Sequence, residues 1–141
     1  MLKGIPELID PELPYVLASL GHGDELAIVD RNYPAASTGQ RVVYLRGVDV
    51  TTAAEAILQL VPVDTFVEEP VTRMEVVGSP EEVPEVQEAF LEVVSRAAGR
   101  EVRMASLPRS RFYERARSAF AVVATSESRS YGCFLITTGV V

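Results

Sequence analysis

The amino-acid sequence predicts an α/β fold, a three-layer α/β/α single domain with a mixed sheet spanning residues 1–141, on three observations. Short runs of strand composition alternate with segments whose apolar residues recur at helical spacing. One run, Leu26-Ala27-Ile28-Val29, is continuously apolar and too short for a helix, as in a strand covered on both faces. The last two runs are rich in valine, isoleucine, phenylalanine and threonine with only a short polar segment between them, which is expected to add an antiparallel part to an otherwise parallel sheet.

Asp10-Pro11 starts the first helix, with Asp10 as cap and Pro11 in the first helical position. Leu13, Val16, Leu17 and Leu20 then share one face until Gly21. The strand through Leu26 to Val29 ends on Asp30 and the loop Arg31-Asn32-Tyr33-Pro34-Ala35 follows. Gln40 to Arg46 reads as a second strand. Thr52-Ala53-Ala54-Glu55 has capping-box spacing ahead of Ala56, Ile57, Leu60 and Val61, and Pro62 ends that helix. Arg73 to Val77 reads as a third strand. A helix near Pro84 carries Val86, Phe90, Val93 and Ala97 on one face, glutamates on a solvated face, and Gly99 at its close. Glu101 to Ser106 is a short strand and Arg111 to Ser118 a short helix. Ala119 to Thr125 and Tyr131 to Thr138 are the closing strands, and Ser126 to Ser130 between them has hairpin or short-loop composition.

At 141 residues the chain has room for one core and not for two ordinary domains. The formal charge of -7 comes from 20 acidic residues against 13 scattered basic ones, which argues against a phosphate-tracking surface and a nucleic-acid partner. A single cysteine, Cys133, can form neither an internal disulfide nor a thiolate metal cluster, and a reduced cytoplasmic setting fits it best. No apolar run approaches the roughly twenty residues of a membrane-spanning helix. The first residues place acid and proline where a secretory signal needs an apolar stretch, so a soluble protein without a membrane partner is expected.

The chemistry narrows by subtraction. Gly21-x-Gly23 leads into a strand and not a helix amino terminus, so the amide cradle of a phosphate loop is missing and nucleotide cofactors are disfavoured. One histidine and one cysteine are a thin supply of metal ligands, although carboxylates alone could bind magnesium or calcium. There is no Gly-x-Ser-x-Gly elbow, and Cys133 lies in an apolar strand where burial raises its pKa. His22 stands between two glycines, and an imidazole of ordinary pKa about 6.5 exchanges protons near neutrality. Asp30 ends a buried strand, where open α/β sheets usually bind ligands. With Arg109 and Tyr131 these residues offer proton transfer and hydrogen bonds to a hydroxyl-rich ligand such as a small sugar. Each also has a plainer reading: a loop histidine facing water, a turn aspartate, a surface arginine, a tyrosine packing by its ring.

Met1-Leu2-Lys3 with Ile9-Asp10-Pro11-Glu12-Leu13, then Gly21-His22-Gly23-Asp24-Glu25, Asp30 to Ala35, Phe112-Tyr113-Glu114-Arg115-Ala116 and Tyr131-Gly132-Cys133, together resemble the ribose pyranase and fucose mutarotase family from end to end. Asn32-x-Pro34 and Phe112 to Ala116 resemble its fucose mutarotase branch. The resemblance implies a cofactor-free, metal-free isomerase that interconverts the α and β anomers of a free monosaccharide, in that branch L-fucose. It implies His22 as catalytic proton donor and Asp30, Arg109, Tyr131, Gly132 and Cys133 as substrate-binding positions. It also implies ring-like homo-oligomers, commonly decamers, with sites at subunit boundaries completed by a neighbour's carboxyl-terminal segment. Such assembly would cover the apolar tail Thr137 to Val141. The chain departs from the family at Cys133, where asparagine is usual, and at Ser126, where a Thr-Gly-Glu turn is common. The same polar residues, with the asparagine replaced, also suit a non-catalytic monosaccharide-binding or transport-accessory protein.

Overall fold

In the computed structural model, which describes residues 3–141, side-chain alternation along strand β1 (Glu25–Val29) divides the core in two. Met1 and Leu2 of the amino-terminal motif lie outside the described residues. Leu26 and Ile28 join the cluster built by α1 (Glu12–Ala18), α3 (Val50–Ile57) and α4 (Glu85–Ala98), where Phe90 stacks on Phe134 with ring centroids 3.7 Å apart. Ala27 and Val29 join the other cluster, beneath α2 (Ala35–Thr38) and α5 (Arg109–Arg117), with Tyr33, Phe112 and Ala116. A sheet between two helical layers is the expected architecture, and the continuous apolar run at Leu26 to Val29 is its direct cause.

The remaining strands are β2 (Val42–Leu45), β3 (Val71–Met74), β4 (Met104–Leu107), β5 (Ala121–Thr125) and β6 (Phe134–Thr137), in the spatial order β2-β5-β1-β6-β3-β4. β1 pairs parallel with β5, β5 with β2, and β3 with β4, whereas β6 runs antiparallel between β1 and β3. The closing strands therefore form no hairpin. Each pairs with β1, on opposite sides, and the segment 126–133 crosses the carboxyl end of β1 between them. That segment is too short for the dozen or more residues of a parallel crossover, so β6 has to return antiparallel.

Several boundaries move. The third strand runs from Val71 to Met74 and stops short of Val77, because Val76 to Ser79 forms a turn, with the Ser79 amide 3.0 Å from the Val76 carbonyl, that carries Val77 out to solvent. The fourth begins at Met104 and not at Glu101. Helix α3 is capped by Asp49, whose Oδ1 accepts the Thr52 amide at 2.8 Å, so Thr52 belongs to the first turn instead of capping it. Helix α5 begins at Arg109, two residues early, directly after Pro108. Helix α2 occupies the end of what the sequence suggests is loop. Asp10 takes the amides of Glu12 and Leu13 as expected, and Gly99 closes α4 in the left-handed conformation at φ 65°. Among the described residues no helix is long and apolar enough to cross a membrane.

Candidate active site

Five of the six strands run the same way, so their carboxyl ends share one edge of the sheet with the amino end of β6. Outside that edge lies a cavity of about 200 Å³, lined by Asp30, Asn32, Arg109, Tyr113, Tyr131 and Cys133, with Tyr33, Met74 and Ser130. Asp30 is buried, and its Oδ1 accepts the amides of Asn32 at 3.0 Å and Tyr33 at 3.1 Å. This Asx turn fixes the carboxylate at the strand end. Burial, and then the Asp30 charge, push the Cys133 thiol well above its ordinary range, so it stays protonated, a donor and not a nucleophile. Burial also raises the phenols of Tyr33 and Tyr113, which remain neutral hydrogen-bonding groups.

Tyr131 is the one non-glycine residue at positive φ, 64°, among the described residues, and its hydroxyl accepts the Val77 amide at 3.2 Å. Gly132 sits behind the cavity wall, where an added Cβ would come within 2.9 Å of Glu127 Cγ. The Glu127 carboxylate is buried and bound by Arg129 through its amide, Nε and Nη2 at 2.8–3.0 Å, while the Glu127 carbonyl accepts the Arg31 amide at 3.1 Å. Burial alone would raise this carboxyl. Hydrogen bonding and charge from Arg129 outweigh it and hold it below the ordinary 4.5. Ser126 also has a structural part, its Oγ accepting the Gly47 amide at 2.9 Å.

His22 lies at the opposite end of β1. The Asp24 amide donates to the Gly21 carbonyl at 3.2 Å and Gly23 has φ 82°, a turn with His22 at its second position and glycine where positive φ is needed. The Gly23 amide donates to the Thr138 carbonyl at 2.8 Å, which ties the turn to the end of β6. The imidazole is 45% exposed, and its Nε2 is 3.0 Å from Oδ1 of Asp64, which is only 2% exposed. Burial works to raise the Asp64 carboxyl, but hydrogen bonds from the Phe66 amide, His22 and the Val67 amide prevail and hold it below the ordinary 3.8. An ionised carboxylate only accepts, so in the neutral ring Nε2 carries the hydrogen, and Nδ1 makes no hydrogen bond among the described residues. Asp64 escapes the sequence reading because it stands 42 residues from His22 in no spaced motif. Asn32 and Tyr113 lie within motifs of the resemblance, yet nothing in their spacing singles them out. Among the described residues no three histidine, cysteine, aspartate or glutamate side chains converge to hold a metal ion.

One chain thus brings Asp30, Arg109, Tyr131 and Cys133 around one cavity, with Gly132 behind it, and keeps His22 apart. The five residues of β1 alone span about 16 Å at roughly 3.3 Å each. His22 borders a second, apolar cleft with Leu20, Leu60, Pro62 and Val140, beside Phe66, which is 73% exposed.

A family model described as the RbsD / FucU transport protein family matches residues 3–141. The chain belongs to this family. Among RbsD / FucU relatives, the fucose mutarotase of Homo sapiens is 43% identical over 144 residues, covering 99% of this chain and 94% of its own length. The L-fucose mutarotase of Histophilus somni is 38% identical over 140 residues, covering 99% of this chain and 97% of its own. The crystal structure of the fucose mutarotase from Streptococcus pneumoniae in complex with L-fucose superposes with a TM-score of 0.91 at 34% identity, over 99% of both chains. Both the RbsD / FucU family resemblance and the α/β fold expected from the sequence are borne out.

Two stability effects follow from the site geometry. Gly23→Ala meets no atom within 4 Å, so its cost is the strain of φ 82° alone, about 1–2 kcal/mol. Calorimetry is expected to show Tm lowered by roughly 2–8 °C, and an unchanged Tm would mean the turn does not require glycine. Asp64 and Glu127 both have folded pKa values below their unfolded ones. Their contribution is therefore full above the unfolded values and lost as pH falls through the folded ones. Tm is expected to drop below about pH 5, with a shallower slope in Glu127→Gln. An equally steep slope in that variant would remove Glu127 from the account.

Proposed function

We propose that this chain, as one domain over residues 1–141, is a monosaccharide mutarotase that interconverts the α and β anomers of a free sugar, L-fucose first among them. The names and near-full-length similarity of its relatives support turnover over binding alone. The observation that carries the chemistry is the His22 imidazole, backed by a buried carboxylate at Nε2 and open at Nδ1.

Anomer exchange asks little of a protein beyond two proton transfers. One group takes the anomeric hydroxyl proton while another protonates the ring oxygen, and the bond from that oxygen to the anomeric carbon breaks to leave an open-chain aldehyde. Rotation presents the other carbonyl face and the reverse transfers close the ring, with no atom gained or lost. In this reading His22 acts as the imidazolium: it gives the proton on Nδ1 and keeps the one on Nε2, and Asp64 stabilises the charged ring before the transfer and orients the neutral ring after it. Asp30 orients a sugar hydroxyl, Arg109 holds a ring or hydroxyl oxygen with its fork of donors, and Tyr131, Gly132 and Cys133 complete the wall.

His22 reaches such a sugar only from a second copy, because β1 separates it from the Asp30 cavity of its own chain. The exposed Phe66 and Val140 around His22 supply an apolar surface for that contact, which supports a homo-oligomer closed as a ring. A reduced compartment such as the cytoplasm suits the single free thiol.

Magnetisation exchange between the anomeric NMR signals of L-fucose, D-ribose, D-galactose and D-glucose tests the proposal. Acceleration is expected, greatest for L-fucose. Binding with unchanged exchange would favour the sugar-binding or transport-accessory reading, and no acceleration with any of the four would end the mutarotase reading.

A further inference from the structure

Behind the cavity wall, a fully buried amide side chain holds the backbone of two lining residues. Gln87, in the first turn of α4, is 0% exposed. Its Nε2 donates to the Met74 carbonyl at 2.7 Å and to the Tyr131 carbonyl at 3.0 Å, and its Oε1 accepts Arg73 Nη1 at 3.1 Å. Arg73 is itself buried, and its other contacts are the carbonyls of Glu82 at 3.1 Å and Pro80 at 2.9 Å. A guanidinium only donates, so it dictates which end of the Gln87 amide faces it and turns both N–H groups toward the two carbonyls. One of those carbonyls belongs to Tyr131, whose left-handed backbone at φ 64° is one that a tyrosine does not hold unaided. The surrounding structure has to impose it.

We propose that Gln87, oriented by Arg73, is a positioning residue for sugar binding: it clamps the Tyr131 carbonyl and thereby keeps Tyr131, Gly132 and Cys133 in the conformation that forms the cavity wall. The inference rests on the reading above, in which Tyr131 borders the sugar. Gln87 itself is sealed behind the wall and touches no substrate. Its effect reaches the reaction through sugar affinity, since its hydrogen bonds go to Arg73, Met74 and Tyr131 and to neither His22 nor Asp64.

Gln87→Glu separates this role from packing. Glutamate has nearly the same volume and keeps an acceptor for Arg73, but it sets a carboxylate oxygen against two carbonyls where a donor stood. With L-fucose, KM is expected to rise tenfold or more with kcat within threefold of wild type. A crystal structure of the variant is expected to show residue 131 out of the left-handed region. In a Tyr131→Gly background, where glycine adopts that backbone freely, adding Gln87→Glu is expected to change KM less than twofold. Gln87→Met, which removes the donors without adding charge, reads the same quantities should the glutamate variant fail to fold. An unchanged KM in a folded variant, or the same fold-change in both backgrounds, overturns the inference. A wild-type protein that does not accelerate exchange ends the mutarotase reading instead, and the conformation of residue 131 in the variant crystals then decides the clamp on its own.

Discussion

His22→Ala is expected to abolish catalysed exchange between L-fucose anomers, a loss of about 10²–10⁴-fold, the usual worth of one positioned acid or base. The ring is half-exposed in a surface turn, so truncating it leaves no cavity, and thermal unfolding is expected to stay close to wild type. A decisive extension comes from the separation of His22 and Asp30 along β1. If each site takes its imidazole from one copy and its cavity from another, His22→Ala and Arg109→Ala are inactive alone yet complement each other when co-expressed. Random mixing in equal amounts gives about a quarter of sites with both residues intact, so roughly that share of activity is expected to return in mixed oligomers. Mixed oligomers that stay inactive, shown to be mixed by mass, would place both residues in a site within one chain and refute the shared arrangement.

Asp64→Asn is expected to lower kcat by about 10²–10⁴-fold, up to the full worth of one positioned acid or base, because it lets the histidine take the wrong tautomer. Asp64 accepts from His22, Phe66 and Val67, and an asparagine offers one acceptor oxygen where these donors need two. Either the backbone amides or the imidazole lose a partner. In wild type, ring nitrogen NMR shifts are expected to report hydrogen on Nε2 of the neutral His22 ring, and in Asp64→Asn a mixture of tautomers. The unpaired buried donor also costs about 1–3 kcal/mol, so Tm is expected to fall as well. A variant with wild-type kcat and an unmixed tautomer would show that His22 needs no carboxylate behind it.

Much of the fold was legible because it depends on local pattern. The continuous apolar run at Leu26 to Val29, the helical spacing of Val86, Phe90 and Val93, and Gly99 at a helix end each state their structure in neighbouring residues. Boundaries slipped where a local signal had a competitor, as at Thr52, whose capping-box spacing lost to Asp49 three residues earlier. The candidate residues at the cavity were legible in part. Asp30 follows from its place at a strand end, whereas Arg109, Gly132 and Cys133 take their assignment from resemblance.

By itself the sequence determined the class of fold and the family, and it offered the handful of side chains proposed to move protons and bind hydroxyls. The tertiary structure alone decided that β6 runs antiparallel in the middle of the sheet, that Asp64 stands behind His22, and that Gln87 supports Tyr131. It also decided which distant residues meet at the two ends of β1: Arg109, Tyr131 and Cys133 around Asp30, and Asp64 beside His22. The reason is physical: periodicity and capping act over a few residues, while these pairings join groups tens of residues apart, brought together only when the whole sheet closes its core.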